Sequence, residues 1–172
     1  MNYTWLGGYG RDGAVTVSPP GADDAWTEGP NYDLIYGSVY CENVIAACRA
    51  KRLGFAHVLN MADNLDVIYQ PAVEVIYKKV DAKEGGLQPI LGALLAEAVA
   101  WLQHVNVPPN KVLINCRAGI KGAGSASIAF IYATQMTWSY NQARQFVSSK
   151  RFVCPHKDLQ QTLQDLFLRV QF

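Results

Sequence analysis

The 172-residue chain has little charge and no long apolar run. Lysine and arginine number 15 against 14 acidic residues, which leaves a net charge of +1. This balance gives no broad electrostatic field that would attract nucleic acid or an anionic membrane surface. No stretch reaches the roughly 18 apolar residues that a membrane-spanning helix needs. We therefore expect neither nucleic acid nor a membrane among the partners.

Cysteine and histidine are scarce, and their spacing does not suit metal binding. The four cysteines include no CxxC pair, and the three histidines show no ligand spacing. The first residues, MNYTWLGGYGRDG, contain no apolar stretch of signal-peptide length. Because a disulfide framework belongs to secreted proteins, we expect free thiols and a cytoplasmic, reducing location. We expect no cofactor and no metal.

Half of the residues are hydrophobic, which at this length is enough for one domain with a buried core. Residues 1–30 are rich in glycine, proline and aspartate, and they contain Trp5 and Trp26. We interpret them as an N-terminal extension, parts of which dock on the domain through the tryptophans. Residues 31–172 are interpreted as the domain itself.

Apolar periodicity from residue 31 onwards predicts strands that alternate with helices. The predicted strands cover 32–38, 56–62, 73–80 and 111–115. The predicted helices cover 42–54, 89–105, 123–135, 140–149 and 158–170. This alternation predicts a single α/β domain with a central, mostly parallel sheet flanked by helices. In such sheets the ligand site lies beyond the carboxyl ends of the strands.

The stretch INCRAGIKGAGS joins the last predicted strand to the helix after it, and it begins just before Cys116. A glycine-rich turn between strand and helix can direct successive backbone N–H groups inward, which creates an anion site at the helix N-terminus. The same groups would favour a thiolate. A thiolate beneath a phosphate monoester could attack phosphorus and form a cysteinyl-phosphate that water hydrolyses. The alternative is that Cys116 is a small buried hydrophobic residue.

The sequence resembles the dual-specificity phosphatases, which belong to the cysteine-dependent protein tyrosine phosphatases. The resemblance runs from about residue 31 to residue 167 through the segments YDLIYGSVYCEN, GFAHVLNMADN, VIYKKVDAKEGG and VLINCRAGIKGAGSAS. It implies the fold of that family and a signature loop of the form His-Cys-x-x-Gly-x-x-Arg-Ser/Thr. The implied nucleophile is Cys116. The implied phosphate-binding loop consists of Arg117, Ala118, Gly119, Ile120, Lys121 and Gly122.

Three signature positions depart from this pattern. Asn115 stands at the histidine position, Gly122 at the arginine position and Ala123 at the position of the supporting hydroxyl. The missing arginine removes the bidentate grip on phosphate. The resemblance places the general acid at Glu84, with Asp81 as the alternative. Arg117 or Lys121 could supply charge, although a lysine lacks the two-pronged geometry of arginine.

Two hypotheses follow. In the first, the chain is a pseudophosphatase that binds a phosphoprotein or another phosphate-containing ligand, or a kinase-pathway protein, with little turnover. In the second, it is a slow cysteine-dependent phosphatase. Cys116 is then the nucleophile, Lys121 or Arg117 supplies charge, and Glu84 or Asp81 supplies the proton.

Overall fold

The computed structural model describes residues 7–9, 15–17, 32–62, 65–67, 76–82 and 88–169. The strands are β1 (Gly7–Tyr9), β2 (Val15–Val17), β3 (Asp33–Tyr36), β4 (Val39–Glu42), β5 (His57–Ala62), β6 (Leu65–Val67), β7 (Ile76–Ala82) and β8 (Val112–Asn115). The helices are α1 (Val44–Cys48), α2 (Gly92–Val105), α3 (Gly122–Thr134), α4 (Tyr140–Lys150) and α5 (Leu159–Leu166).

The central sheet has five strands in the order β3-β4-β8-β5-β7. Strand β3 is antiparallel to β4, and the other neighbours are parallel. Every residue of β5 and β8 is buried, as expected of strands covered on both faces. The predicted fold class, a mostly parallel sheet flanked by helices, is confirmed.

The first predicted strand is a hairpin in the structure. The chain turns at Gly37, whose φ is +59°, and returns as β4. The Asn106 side chain accepts hydrogen bonds from the Ser38 N–H (3.0 Å) and hydroxyl (2.9 Å) and so fixes the turn. No element was predicted for residues 39–41, and the predicted helix start at Glu42 is wrong, because α1 begins at Val44. Residues Val39–Glu42 form strand β4, whose end lies beside the cysteine loop.

The helices cover the two faces of the sheet unequally. The short helix α1 packs over a small apolar cluster with Phe55, Val58 and Leu113. Turns replace the remainder of the helix predicted over 42–54. On the main core, α2 begins at Gly92 and not at the predicted Pro89. Helices α3 and α4 agree with their predicted spans to within one residue at each end. Helix α5 ends at Leu166, four residues before the predicted end.

Part of the N-terminal extension forms a second, small sheet that was not predicted. Strand β2 pairs antiparallel with β1 and parallel with β6. Trp5 and Trp26 lie outside the described residues, so their predicted docking stays a prediction, as does the boundary at residue 30. Across the described ranges, no helix is both long and apolar enough to cross a membrane.

Candidate active site

The cysteine loop occupies the predicted place beyond the carboxyl end of a central strand. Cys116 follows β8 directly, is 4% exposed, and is separated from the first residue of α3 by five residues. Helix α3 begins at Gly122, and its N-terminus adds a partial positive charge at the loop. Of the loop residues predicted to bind phosphate, Gly119 and Gly122 are buried, Ala118 is exposed, and Arg117, Ile120 and Lys121 are half-buried.

Four carbonyl groups of this loop accept hydrogen bonds, three from other parts of the fold and one from the first turn of α3. The carbonyl of Arg117 accepts from the Val44 N–H (3.2 Å), that of Ile120 from the Cys154 N–H (3.1 Å), and that of Lys121 from the Ser125 N–H (2.7 Å). The Gly119 carbonyl accepts from the Cys41 thiol at 3.7 Å. In a planar trans peptide the next N–H points opposite to the carbonyl. The N–H groups of residues 118, 120, 121 and 122 are therefore directed away from these partners.

Gly119 is the one loop residue that holds a left-handed conformation, with φ at +72°. A Cβ built on it would lie 2.6 Å from the main-chain carbon of Glu42 and 2.7 Å from the Glu42 oxygen. Both the backbone angle and the close approach require glycine here. The signature glycine is thus explained by contact with the end of β4.

Gly122, at the signature arginine position, is closely surrounded by Met61 and Cys116. A Cβ at this residue would be 3.1 Å from the Met61 carbonyl oxygen, 3.2 Å from the Met61 Cβ and 3.3 Å from the Cys116 Cβ. The first carbon of a side chain here would need Met61 to move by a few tenths of an ångström. The arginine is absent, and its place is tightly bounded.

Asn115, at the signature histidine position, belongs to a buried polar chain. Its side-chain amide donates to Asn60 Oδ1 and to the Cys116 carbonyl, both at 3.4 Å, and Asn60 donates to the Tyr77 hydroxyl at 2.9 Å. Asn60 and Asn115 are direct register partners on β5 and β8. The Asn115 Oδ1 is buried without a hydrogen-bond partner among the described residues. These hydrogen bonds fix the backbone of Asn115, just before the loop.

The signature position that carries a supporting hydroxyl has none here, because the residue is alanine. Ala123 is fully buried. The serines that follow in α3 have other partners: Ser127 donates to the Ala123 carbonyl (2.8 Å), and Ser125 pairs with His156 Nδ1 (3.0 Å). His156 is only 4% exposed and connects the segment before α5 to α3. His57 is buried against Trp101.

The two candidate acids remain predictions. Glu84 lies outside the described residues. Asp81 is in β7, close to its end, and nothing of its side chain is described. The structure therefore leaves the assignment of a proton donor to experiment.

Sequence reasoning missed three residues beneath the loop: Cys41, Glu42 and Arg151. Arg151 Nη1 donates to the Cys41 carbonyl (2.7 Å), to Asp33 Oδ2 (3.0 Å) and to Glu42 Oε2 (3.3 Å). Burial raises the pKa of Cys41 to about 12, against the opposing effect of Arg151, so this thiol stays protonated and can donate. Burial also raises the pKa of the Glu42 carboxyl, which Arg151 opposes. More than 100 residues separate Arg151 from both, so no local pattern could have revealed them.

The sheet, the helices and the cysteine loop together define the fold of the dual-specificity phosphatases. No protein-family model and no curated protein sequence matches the chain. Among solved structures, human DUSP28 is similar with a TM-score of 0.67 and 18% identity over 88% of this chain and 97% of that one. A mouse putative dual specificity phosphatase complexed with zinc tungstate gives a TM-score of 0.68 and 18% identity, with 80% and 87% of the chains covered. The human tyrosine phosphatase-like serine/threonine/tyrosine-interacting protein gives 0.65 and 16%, with 78% and 93% covered.

Proposed function

We propose that the chain is a pseudophosphatase, which binds a phosphorylated ligand in the cysteine loop and turns it over little or not at all. The observation that carries this proposal is Gly122, which supplies no cation at the position of the signature arginine. Phosphoryl transfer needs a fixed cation on the equatorial oxygens, and removal of one preorganised donor of this kind costs about 3 kcal/mol or more in the barrier. Met61 and Cys116 lie close around the Cβ position of Gly122, at 3.1–3.3 Å, so the site is packed around a glycine.

Retained anion binding is supported by the loop N–H groups, which are directed away from the partners of the loop carbonyls, and by the N-terminus of α3. Arg117 and Lys121, both in the loop, add positive charge. The similar mouse protein was crystallised with tungstate, a tetrahedral oxyanion with the shape of phosphate. We therefore propose a phosphate group as the ligand, presented by a phosphoprotein.

A signalling role in a reducing, cytoplasmic setting agrees with this ligand. All four cysteines are free thiols, and a buried thiol at the base of the loop would be preserved in such a compartment. One similar human protein is named as phosphatase-like and interacting. A kinase-pathway protein is the proposed partner, because a phosphoprotein ligand is the product of a kinase.

The second candidate is a slow phosphatase, and the observation that favours it is Cys116 at the end of β8 beside the start of α3. Its thiolate would attack phosphorus, the P–O bond to the leaving group would break, and Glu84 or Asp81 would protonate the departing oxygen. Water would then cleave the S–P bond and release phosphate. Lys121 or Arg117 would supply the charge.

Steady-state assays on an aryl phosphate, together with calorimetric titration of a phosphotyrosine peptide, separate the two candidates. The parent protein is compared with Cys116→Ser, and the peptide with its unphosphorylated form. We expect phosphate-dependent binding and no turnover above that of Cys116→Ser. Turnover that Cys116→Ser abolishes would establish the phosphatase, and equal binding of both peptides would remove the phosphate-binding role.

A further inference from the structure

The cysteine loop rests on the end of β4 through three contacts. The Cys41 thiol donates to the Gly119 carbonyl, and the Val44 N–H donates to the Arg117 carbonyl. Between them, Gly119 lies against the main chain of Glu42 with no room for a Cβ. The shape of the loop is therefore set by the position of residues 41–44, which we call the loop bed.

The side chain of Arg151 is hydrogen-bonded to two residues of this loop bed, Cys41 and Glu42. It follows α4 directly, and its side chain is only 9% exposed. One of its nitrogens joins the Cys41 carbonyl, the Glu42 carboxylate and Asp33 on β3. The other terminal nitrogen, Nη2, lies 2.9 Å from the Cβ position of Gly119. A single guanidinium thus links β3, the loop bed and the outer side of the loop.

We propose that Arg151 is a positioning residue for the cysteine loop, which it keeps in the anion-binding shape that no signature arginine supports. The proposal rests on the proposed phosphate-binding function of this loop. Arg151 does not touch the ligand, because it lies on the side of Gly119 that faces Glu42. Its planar fork reaches several acceptors at once, which the single ammonium of lysine does not.

The geometry predicts graded effects. Arg151→Met leaves the buried Glu42 carboxylate without its cation, which frees the loop bed. Phosphate affinity should fall by about tenfold or more, the scale of a lost hydrogen bond to a charged group. Cys116 should also react faster with iodoacetamide, because the burial of its thiol depends on the conformation of the loop. Glu42→Gln removes the ion pair with Arg151 but keeps a hydrogen-bond acceptor. We therefore expect a smaller effect in the same direction. Arg151→Lys should fall between the parent and Arg151→Met.

The experiment measures iodoacetamide labelling of Cys116 by peptide mass spectrometry, with and without inorganic phosphate, well below the melting temperature of each variant. Arg144→Met is the charge control, because Arg144 is exposed on α4. Val147→Ala is the stability control, because Val147 is a buried residue of α4 outside the loop bed. Both controls should label and bind phosphate as the parent does.

Labelling and phosphate affinity that stay at the parent level in Arg151→Met and Glu42→Gln would overturn the proposal. An equal response of Val147→Ala would also overturn it, since the effect would then be one of global stability. If Arg151→Met does not fold, Glu42→Gln and Arg151→Lys decide between these outcomes. A parent that phosphate does not protect would refute the proposed function alone, because the labelling rates without phosphate still test Arg151.

Discussion

At the scale of single residues, the cysteine loop has glycine at positions 119 and 122, and the physical reason for glycine differs between the two. Gly119 needs its positive φ and its contact with Glu42, whereas Gly122 is tightly surrounded by Met61 and Cys116. The sequence predicted that Gly122 leaves the arginine position empty. It could not predict the contact with Met61, because Met61 lies more than 60 residues earlier in the chain.

Gly119→Ala should lower the free energy of unfolding by about 3 kcal/mol, because the strain of a left-handed alanine adds to a clash with main-chain atoms that have little freedom to move. Gly54 is the matched control: its φ is +84°, and nothing lies within 4 Å of its Cβ position. Gly54→Ala should therefore cost only the conformational part, about 1–2 kcal/mol. Urea unfolding measures both, and equal losses would contradict the close contact at Gly119.

The protonation of His57 should make the stability of the fold depend on pH. Burial, and secondarily the charge of His104, lower the pKa of His57, so the folded protein binds this proton less readily than the unfolded chain. Its contribution to stability is therefore present above the ordinary pKa of 6.5 and is lost as the pH falls through that value.

Urea unfolding at about pH 7.5 and about pH 5.5, on either side of the ordinary histidine pKa, tests this contribution. His57→Phe keeps a ring against Trp101 but removes the titrating group, so it should lose less stability between the two conditions than the parent does. The same acid sensitivity in both proteins would show that His57 is not responsible. His104→Gln serves as a control that should keep most of the effect.

At the scale of elements, the long periodic helices and four of the five strands of the central sheet could be predicted from the sequence, whereas β4 could not. Helix α4 follows its apolar spacing and is capped at its N-terminus by Ser139, whose side chain forms a capping box with Gln142. Strand β4 has only four residues, and its sequence VYCE continues the apolar pattern of the segment before it. Only Gly37 marked the turn, and a glycine can equally end a strand. The loop bed was missed for this reason.

The end of α3 depends on Arg169, which lies near the end of the described chain. Its guanidinium donates to the carbonyls of Gln135 (3.1 Å) and Met136 (2.8 Å), and also to those of Tyr132 and Trp138. It stacks 3.7 Å over the Tyr132 ring as well. The segment after α5 is thereby fixed to the end of the helix that begins at the cysteine loop.

Arg169→Ala should lower the free energy of unfolding by about 1–3 kcal/mol, because the carbonyls at the end of α3 lose charged donors. Arg144→Ala removes an exposed arginine and should change it by no more than about 0.5 kcal/mol. Thermal or urea unfolding compares them. If the two variants were equally stable, Arg169 would be a surface residue in solution and not an anchor.

At the scale of the whole molecule, alternating strands and helices were enough to predict the sheet and to place Cys116 at its carboxyl edge. The support of the site was not predictable, because it joins β3, β4 and the residue after α4 through contacts between distant parts of the chain. Periodicity indicates which face of an element is buried. It does not indicate which buried polar groups meet there.

The central claim is that the loop binds a phosphate group and turns it over little or not at all. The most direct test is a single-turnover experiment with protein in excess over an aryl phosphate, in which release of the aryl alcohol reports formation of a cysteinyl-phosphate even if its hydrolysis is slow. We predict the same release from the parent as from Cys116→Ser. A burst of aryl alcohol from the parent that Cys116→Ser lacks would contradict the claim and show that Cys116 still reacts.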